Sequence, residues 1–305
     1  MKSEKLWIAL GFCLVSVIWG STWLAIKVGL ESVPPFFAVA IRFTLAASIL
    51  AVIARVRGER MLLDRDSVRV YLAMAFFSFS FPFALVYWGE QYIDSSLASI
   101  LFAIYPFVVA IGSHYFLPEE PLNPFKIIGI LLGFAGVLVI FWSDIHFGDS
   151  ATWGMLAVLL STLLQGTSLV IVKRKGKHLS PTMLSLGGML IGIVVLYILA
   201  FSFEDASAIS LDAKGIGSIL YLGTFGTVVT FVVYYWLMKR VDAVYLSLVS
   251  LVTPILAVVL GTIFLHEELA PRVFSGAGLV LLGILTANGR ELFRLVGRHS
   301  SKFVP

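Results

Sequence analysis

Apolar residues run through this 305-residue chain in blocks of about 20, separated by short polar or proline-bearing breaks. The blocks fall at roughly 6–26, 33–54, 68–89, 94–116, 125–142, 152–172, 182–201, 215–237, 243–265 and 271–289. A helix of about 20 residues, rising 1.5 Å per residue, matches the ~30 Å hydrocarbon layer of a bilayer, so each block predicts a membrane span. The breaks carry Pro34-Pro35, Pro118 through Pro124, Ser180-Pro181 and Pro271, and none is long enough to hold a soluble domain.

Marked residues within and between the blocks recur. Tyr87, Trp88, Asp94, Ser99, Pro106, Glu119 and Glu120 reappear 148 residues later as Tyr235, Trp236, Asp242, Ser247, Pro254, Glu267 and Glu268. The extra Pro121 then lowers the offset to 147, pairing Pro124 with Pro271, Gly129 with Gly276 and Gly136 with Gly283. Upstream the offset is 146, which pairs Gly20 with Gly166, Lys27 with Lys173 and Pro35 with Pro181. Self-similarity at half the chain marks a duplication rather than a short-period solenoid. It divides the chain into a first five-helix unit, 1–145, and a second, 146–305.

Charge supplies the orientation. When span ends are assigned alternately to two sides, eighteen of the 22 Lys and Arg fall on one side. The other side holds Lys27, Lys214 and Arg272, and Arg42 lies inside a span. Cations accumulate on the cytoplasmic side, so both termini are expected in the cytoplasm, with the chain in the inner or plasma membrane. Because five is odd, the second unit enters the bilayer from the opposite face. The predicted fold is an all-α membrane protein, ten transmembrane helices as two inverted five-helix repeats, with a substrate site near the midplane between the halves.

Composition agrees, with 59% hydrophobic and 13% charged residues against roughly 25% charged in soluble domains. The net charge of +4 is dispersed between spans rather than gathered in a patch, which argues against a nucleic-acid partner. Cys13 is the only cysteine, so no intrachain disulfide forms. The apolar run after Lys2 and Lys5 is of spanning length and lacks a small-residue cleavage site, so it reads as a first span rather than a signal peptide.

Ser16, Trp19, Gly20, Trp23 and Lys27 repeat at helical spacing on one face of the first span, matched by Thr162, Gln165, Gly166, Leu169 and Lys173 in the sixth. Such a stripe faces the bundle interior. Trp19 and Gln165 hold equivalent positions in helices of opposite direction and are expected to approach each other across the pseudo-two-fold axis. Arg42 lies about 12 Å deep by helical rise, where a charge costs at least roughly 2.5–3.5 kcal/mol unless it meets protein or water. It is a candidate ligand, or a structural Arg satisfied by helix-end carbonyls or by Glu90.

Ser99, Phe102 and Tyr105 correspond to Ser247, Ser250 and Thr253, each set on one helix face and each followed by Pro106 or Pro254. A mid-span proline frees a carbonyl and kinks the helix. Tyr87 and Tyr235 complete the expected cavity lining, while Trp88 and Trp236 read as interface anchors. Glu119, Glu120, Glu267 and Glu268 are expected to be solvated loop acids. Gly129, Gly133 and Gly136, with Gly276, Gly278 and Gly283, form small-residue seams for packing within each bundle or for a homodimer.

His114, His146, His178, His266 and His299 are scattered, and no phosphate-binding or nucleophile motif is present. No enzyme activity, no metal and no cofactor are expected.

The segment Trp19-Gly20-Ser21-Thr22-Trp23 with Lys27, the Pro34-Pro35 break, Arg42-Phe43, Tyr105-Pro106, Glu119-Glu120 and the Gly129, Gly133, Gly136 helix resemble the EamA-type drug/metabolite transporters over nearly the whole chain. The resemblance implies a bundle of two inverted five-helix units that moves small metabolites, often amino acids outward. The second half departs from the pattern, with Gln165 for Trp19, Leu169 for Trp23 and Gly188 for Arg42. The expected function is a secondary transporter that exports amino acids or similar amphipathic solutes by alternating access, with a small-molecule substrate and the lipid bilayer as partners. An importer of a sugar, nucleoside or cofactor precursor is the alternative within transport. A membrane sensor or non-transporting subunit on the same fold is the alternative outside it.

Overall fold

The computed structural model describes residues 2–117, 122–141, 149–241, 246 and 249–300. Glu119, Glu120, Asp242, Ser247 and His146 lie outside the described residues. The helices are α1 Lys2–Gly29, α2 Pro35–Val56, α3 Arg65–Met74, α4 Phe81–Gly89, α5 Ser95–Phe102, α6 Tyr105–Phe116 and α7 Pro124–Phe141. There follow α8 Ser150–Lys175, α9 Pro181–Phe203, α10 Ala213–Gly223, α11 Thr230–Met238, α12 Val249–Leu265 and α13 Pro271–Ser300. A π-helical turn, Ala75–Ser80, joins α3 to α4 in one continuous rod, and a second, Thr224–Val229, joins α10 to α11. Among the described residues seven rods are long and apolar enough to cross a membrane, and Pro124–Ile140, Val252–Leu265 and Pro271–Ala287 are shorter apolar helices.

The chain punctuates these rods as local physics requires. Pro35 and Pro181 stand at helix starts, where the missing N–H costs nothing. Asp64 and Ser180 cap α3 and α9 by accepting backbone N–H bonds. Large apolar side chains such as Leu14 and Val17 on α1 and Val194, Ile198 and Phe201 on α9 are exposed and form the lipid-facing surface.

The two halves interlock rather than sit side by side. Helix α1 packs on α10, α11 and α12 of the second half, while α8 packs on α3, α4 and α6 of the first. Equivalent residues make equivalent contacts. A Cβ on Gly20 would lie 2.7 Å from Leu256 Cβ, and one on Gly166 would lie 2.6 Å from Val108 Cγ1. Leu256 and Val108 are themselves 148 apart in sequence. A contact and its exchanged copy are what a two-fold axis generates. Helices α7 and α13 close the bundle through the same exchange, with Gly129 against the Gly283 carbonyl and Gly276 against the Gly136 carbonyl. The glycine seams therefore join the last helix of one half to the last helix of the other. Gly278 alone of the six has open space beside it, and the close approach that glycine permits is spent within one chain.

At Pro106 the span is interrupted: α5 ends at Phe102, a turn at Ala103 and Ile104 intervenes, and α6 starts at Tyr105. Pro254 instead lies inside α12, which runs through it. Glu267 is not a solvated loop acid but is buried, whereas Glu268 is exposed. His266 adopts φ 54°, a left-handed conformation that turns the chain back at the end of α12. The Glu267 carboxylate thereby reaches the first turn of α5, where it accepts the Ser95 and Ser96 N–H bonds at 2.9 and 3.1 Å and both serine hydroxyls.

Candidate functional site

Two adjoining cavities of about 70 and 80 Å³ occupy the region where the halves meet. Trp19, Phe102, Gln165, Phe231 and Thr253 line both, so they form one bipartite site. The first part adds Tyr105, Tyr234, Tyr235 and Ser250, and the second adds Trp23, Arg42 and Phe83.

Rings dominate the walls. Trp19 packs on Phe231 and Tyr234 with centroids 5.6 and 4.9 Å apart, and Phe102 stacks on Tyr105 at 5.7 Å. Trp23 lies 5.5 Å from Phe102, and Phe83 lies 6.3 Å from Phe231. Polar groups are few. The Tyr105 and Tyr234 hydroxyls sit 3.2 Å apart, and the Gln165 amide donates to Ser161 Oγ at 3.2 Å.

Arg42 is 2% exposed, and each of its three guanidinium nitrogens donates to one acceptor. Nε donates to Thr227 Oγ1 at 2.9 Å, Nη1 to Tyr87 Oη at 3.1 Å and Nη2 to the Gly226 carbonyl at 3.2 Å. The ring of Phe83 lies beneath the guanidinium at 5.0 Å. Glu90 is not bonded to it, so the acid considered as its partner does not fill that role. Gly226 and Thr227 belong to the second π-turn, whose wider winding leaves a carbonyl available to a side chain. The first π-turn faces Gly188, the equivalent of Arg42, and a Cβ there would lie 2.8 Å from Met74 Cβ and 2.9 Å from Phe79. One half thus reaches the opposite π-turn with a guanidinium, and the other packs directly against it.

The cavity brings together Trp19, Trp23, Arg42, Tyr105, Gln165, Tyr235, Ser250 and Thr253 from the sequence-derived set. Three members lie elsewhere. Ser16 is buried, lines neither part of the cavity and has its hydroxyl unpaired among the described residues. Ser99 turns its hydroxyl onto the Ser96 carbonyl of its own helix at 2.7 Å. Tyr87 stands behind Arg42 as its hydrogen-bond acceptor. Phe231, Tyr234 and Phe83 are wall residues that the polar-stripe argument passes over. Phe83 and Phe231 are 148 apart, so the repeat offset itself marks them.

Known proteins resemble this one throughout. The EamA-like transporter family model matches residues 6–142 and again 152–289. The uncharacterized transporter YoaV of Bacillus subtilis is 29% identical over 278 residues, covering 91% of this chain and 95% of that one. An uncharacterized transporter of Archaeoglobus fulgidus is 31% identical, over 92% of this chain and 97% of its own length. A probable amino-acid metabolite efflux pump of Escherichia coli is 26% identical over 89% of this chain and 91% of its own. A protein of known crystal structure, 20% identical, superposes with a TM-score of 0.71 over 93% of this chain and 98% of that one, and so shares the fold. With its family model matched once in each half, this duplicated, helical membrane protein belongs to the EamA-like transporter family.

Proposed function

We propose that the protein is a secondary transporter that exports amino acids or related small amphipathic metabolites by alternating access, with both termini in the cytoplasm. The observation that carries this reading is the ring-lined bipartite cavity at the junction of the halves, where Trp19 and its repeat equivalent Gln165 line both parts. Aromatic faces suit apolar groups, and the Gln165 amide and the Tyr, Ser and Thr hydroxyls suit the polar end of an amphipathic solute. Arg42, the one cation in the wall among the described residues, already serves three acceptors, which disfavours dense anions such as sugar phosphates. Two relatives named probable amino-acid metabolite efflux pumps support the same cargo class. At about 70 and 80 Å³ the cavity is short of the roughly 300 Å³ of small-molecule sites, so cargo is admitted in a state with the rings moved apart.

The test is counterflow of labelled leucine and phenylalanine in proteoliposomes. Exchange is expected, and Trp19→Ala is expected to weaken apparent affinity by about 2–4 kcal/mol through loss of a stacked ring. Binding without exchange would favour the sensor reading instead.

A further inference from the structure

One buried acid has no role in the cavity and no hydrogen-bond partner for its carboxyl among the described residues. Glu90 is the first residue past α4, one turn beyond the wall residue Val86, whose carbonyl accepts its N–H at 2.9 Å. The residue is 0% exposed, and neither carboxyl oxygen has a hydrogen-bond partner among the described residues. Among the described residues none of the charged groups around it donates to the carboxyl. Lys27 from α1 donates to two backbone carbonyls, those of Glu90 and Ile93, at 2.6 and 2.8 Å. Arg42 from α2 is bound to Thr227, Tyr87 and Gly226. Glu267, from the turn after α12, is occupied by Ser95 and Ser96. Tyr87 from α4 gives its hydroxyl to Arg42 as an acceptor, and α8 meets the adjacent Gly89 with uncharged Gly154 and Val158.

A buried carboxylate without a donor loses its hydration and gains nothing in return, whereas the neutral acid is tolerated. We propose that Glu90 is a proton-binding site and that a proton is the ion coupled to transport. The coupling part rests on the transporter reading. In the state described here the carboxyl is neutral, its O–H formed with a proton from hydronium in bulk water, which becomes water. When this end of the bundle opens, water solvates the carboxylate, the O–H bond breaks and the proton leaves to solvent. Nothing is oxidised or reduced. Burial pushes the carboxyl well above the usual carboxylate range against the pull of Lys27, with Glu267 adding to the rise and Arg42 opposing it. Glu90 directly follows α4, the helix that carries Phe83, Val86 and Tyr87, so its hydration and the cavity wall move with one element.

The test has two arms. Infrared spectra of the purified protein at pH 7 are expected to contain a protonated-carboxyl stretch that Glu90→Gln removes. No such difference between the two proteins would overturn the site. In proteoliposomes, leucine flux through the wild type is expected to change several-fold when a pH gradient is imposed. The ratio of fluxes with and without the gradient is expected to fall to one in Glu90→Gln and to be restored in Glu90→Asp, which keeps an acid. An unaltered gradient response in Glu90→Gln would overturn the coupling. If leucine does not cross at all, the transport reading and the coupling fall together, and the infrared band alone decides the proton site.

Discussion

At the scale of single residues, Arg42 shows what a lipid solvent makes legible. A charge at mid-depth is expensive wherever it is not bonded, so the sequence alone marks the position. The partners are a different matter, because Thr227 and Gly226 lie 185 and 184 residues away and no local pattern ties them to it. The guanidinium serves three acceptors in three directions, a geometry an ammonium cannot copy. Arg42→Lys is therefore expected to destabilise the protein by about 1–3 kcal/mol and to lower the melting temperature in detergent even without cargo. An unchanged melting temperature would mean that these bonds brace nothing. Ser16 and Ser99 fall outside the cavity for a related reason. Helical spacing says which side of a helix a hydroxyl shares with Trp19 or Tyr105, but a small side chain can turn to its own backbone or stop short of the void.

At the scale of elements, the spans follow from apolar length, but departures inside them do not. A π-turn adds one residue to a helical winding without disturbing its hydrophobicity, and both copies sit in apolar stretches, AFFSFS and TFGTVV. Pro106 and Pro254 look alike in sequence and differ in outcome, since breaking or continuing a helix depends on what packs around it. Loop acids are equally silent. Glu204, just past α9, accepts the Phe36 and Phe37 N–H bonds at the start of α2, and Glu59, past α2, accepts the Ser180 hydroxyl at the start of α9. Glu267 does the same for α5. Each acid ties one half to the helix N-terminus of the other, where unpaired N–H groups and the helix dipole favour a negative charge. Removing the carboxylate in Glu267→Ala leaves four donors of Ser95 and Ser96 without it, so a loss of about 2 kcal/mol is expected by thermal melting. Glu267→Gln keeps one acceptor oxygen and should recover part of that loss. Equal melting of all three proteins would show the latch to be idle.

At the scale of the whole molecule, the duplication is the feature that sequence carries furthest. The offsets of 146 and 148 foretell which residues exchange contacts, as Gly20 with Leu256 and Gly166 with Val108 demonstrate. They do not foretell that α7 and α13 meet each other, because a glycine seam names a close neighbour without saying which. The orientation in the membrane rests on the charge asymmetry of eighteen Lys and Arg against three, and labelling can test it directly. In a Cys13→Ser background, cysteines are placed at the exposed positions Asp66, Ser150, Lys177 and Ser207. Asp66 follows α2 and Lys177 follows α8, the ends rich in cations. Ser150 opens α8 and Ser207 follows α9, on the cation-poor side. An impermeant thiol reagent added outside whole cells is expected to label Ser150→Cys and Ser207→Cys and to spare Asp66→Cys and Lys177→Cys until the cells are lysed. The reverse pattern would invert the protein in the membrane. Labelling of Ser150→Cys together with Lys177→Cys would instead place both ends of α8 on one side, which neither a spanning α8 nor an inverted pair of five-helix units permits.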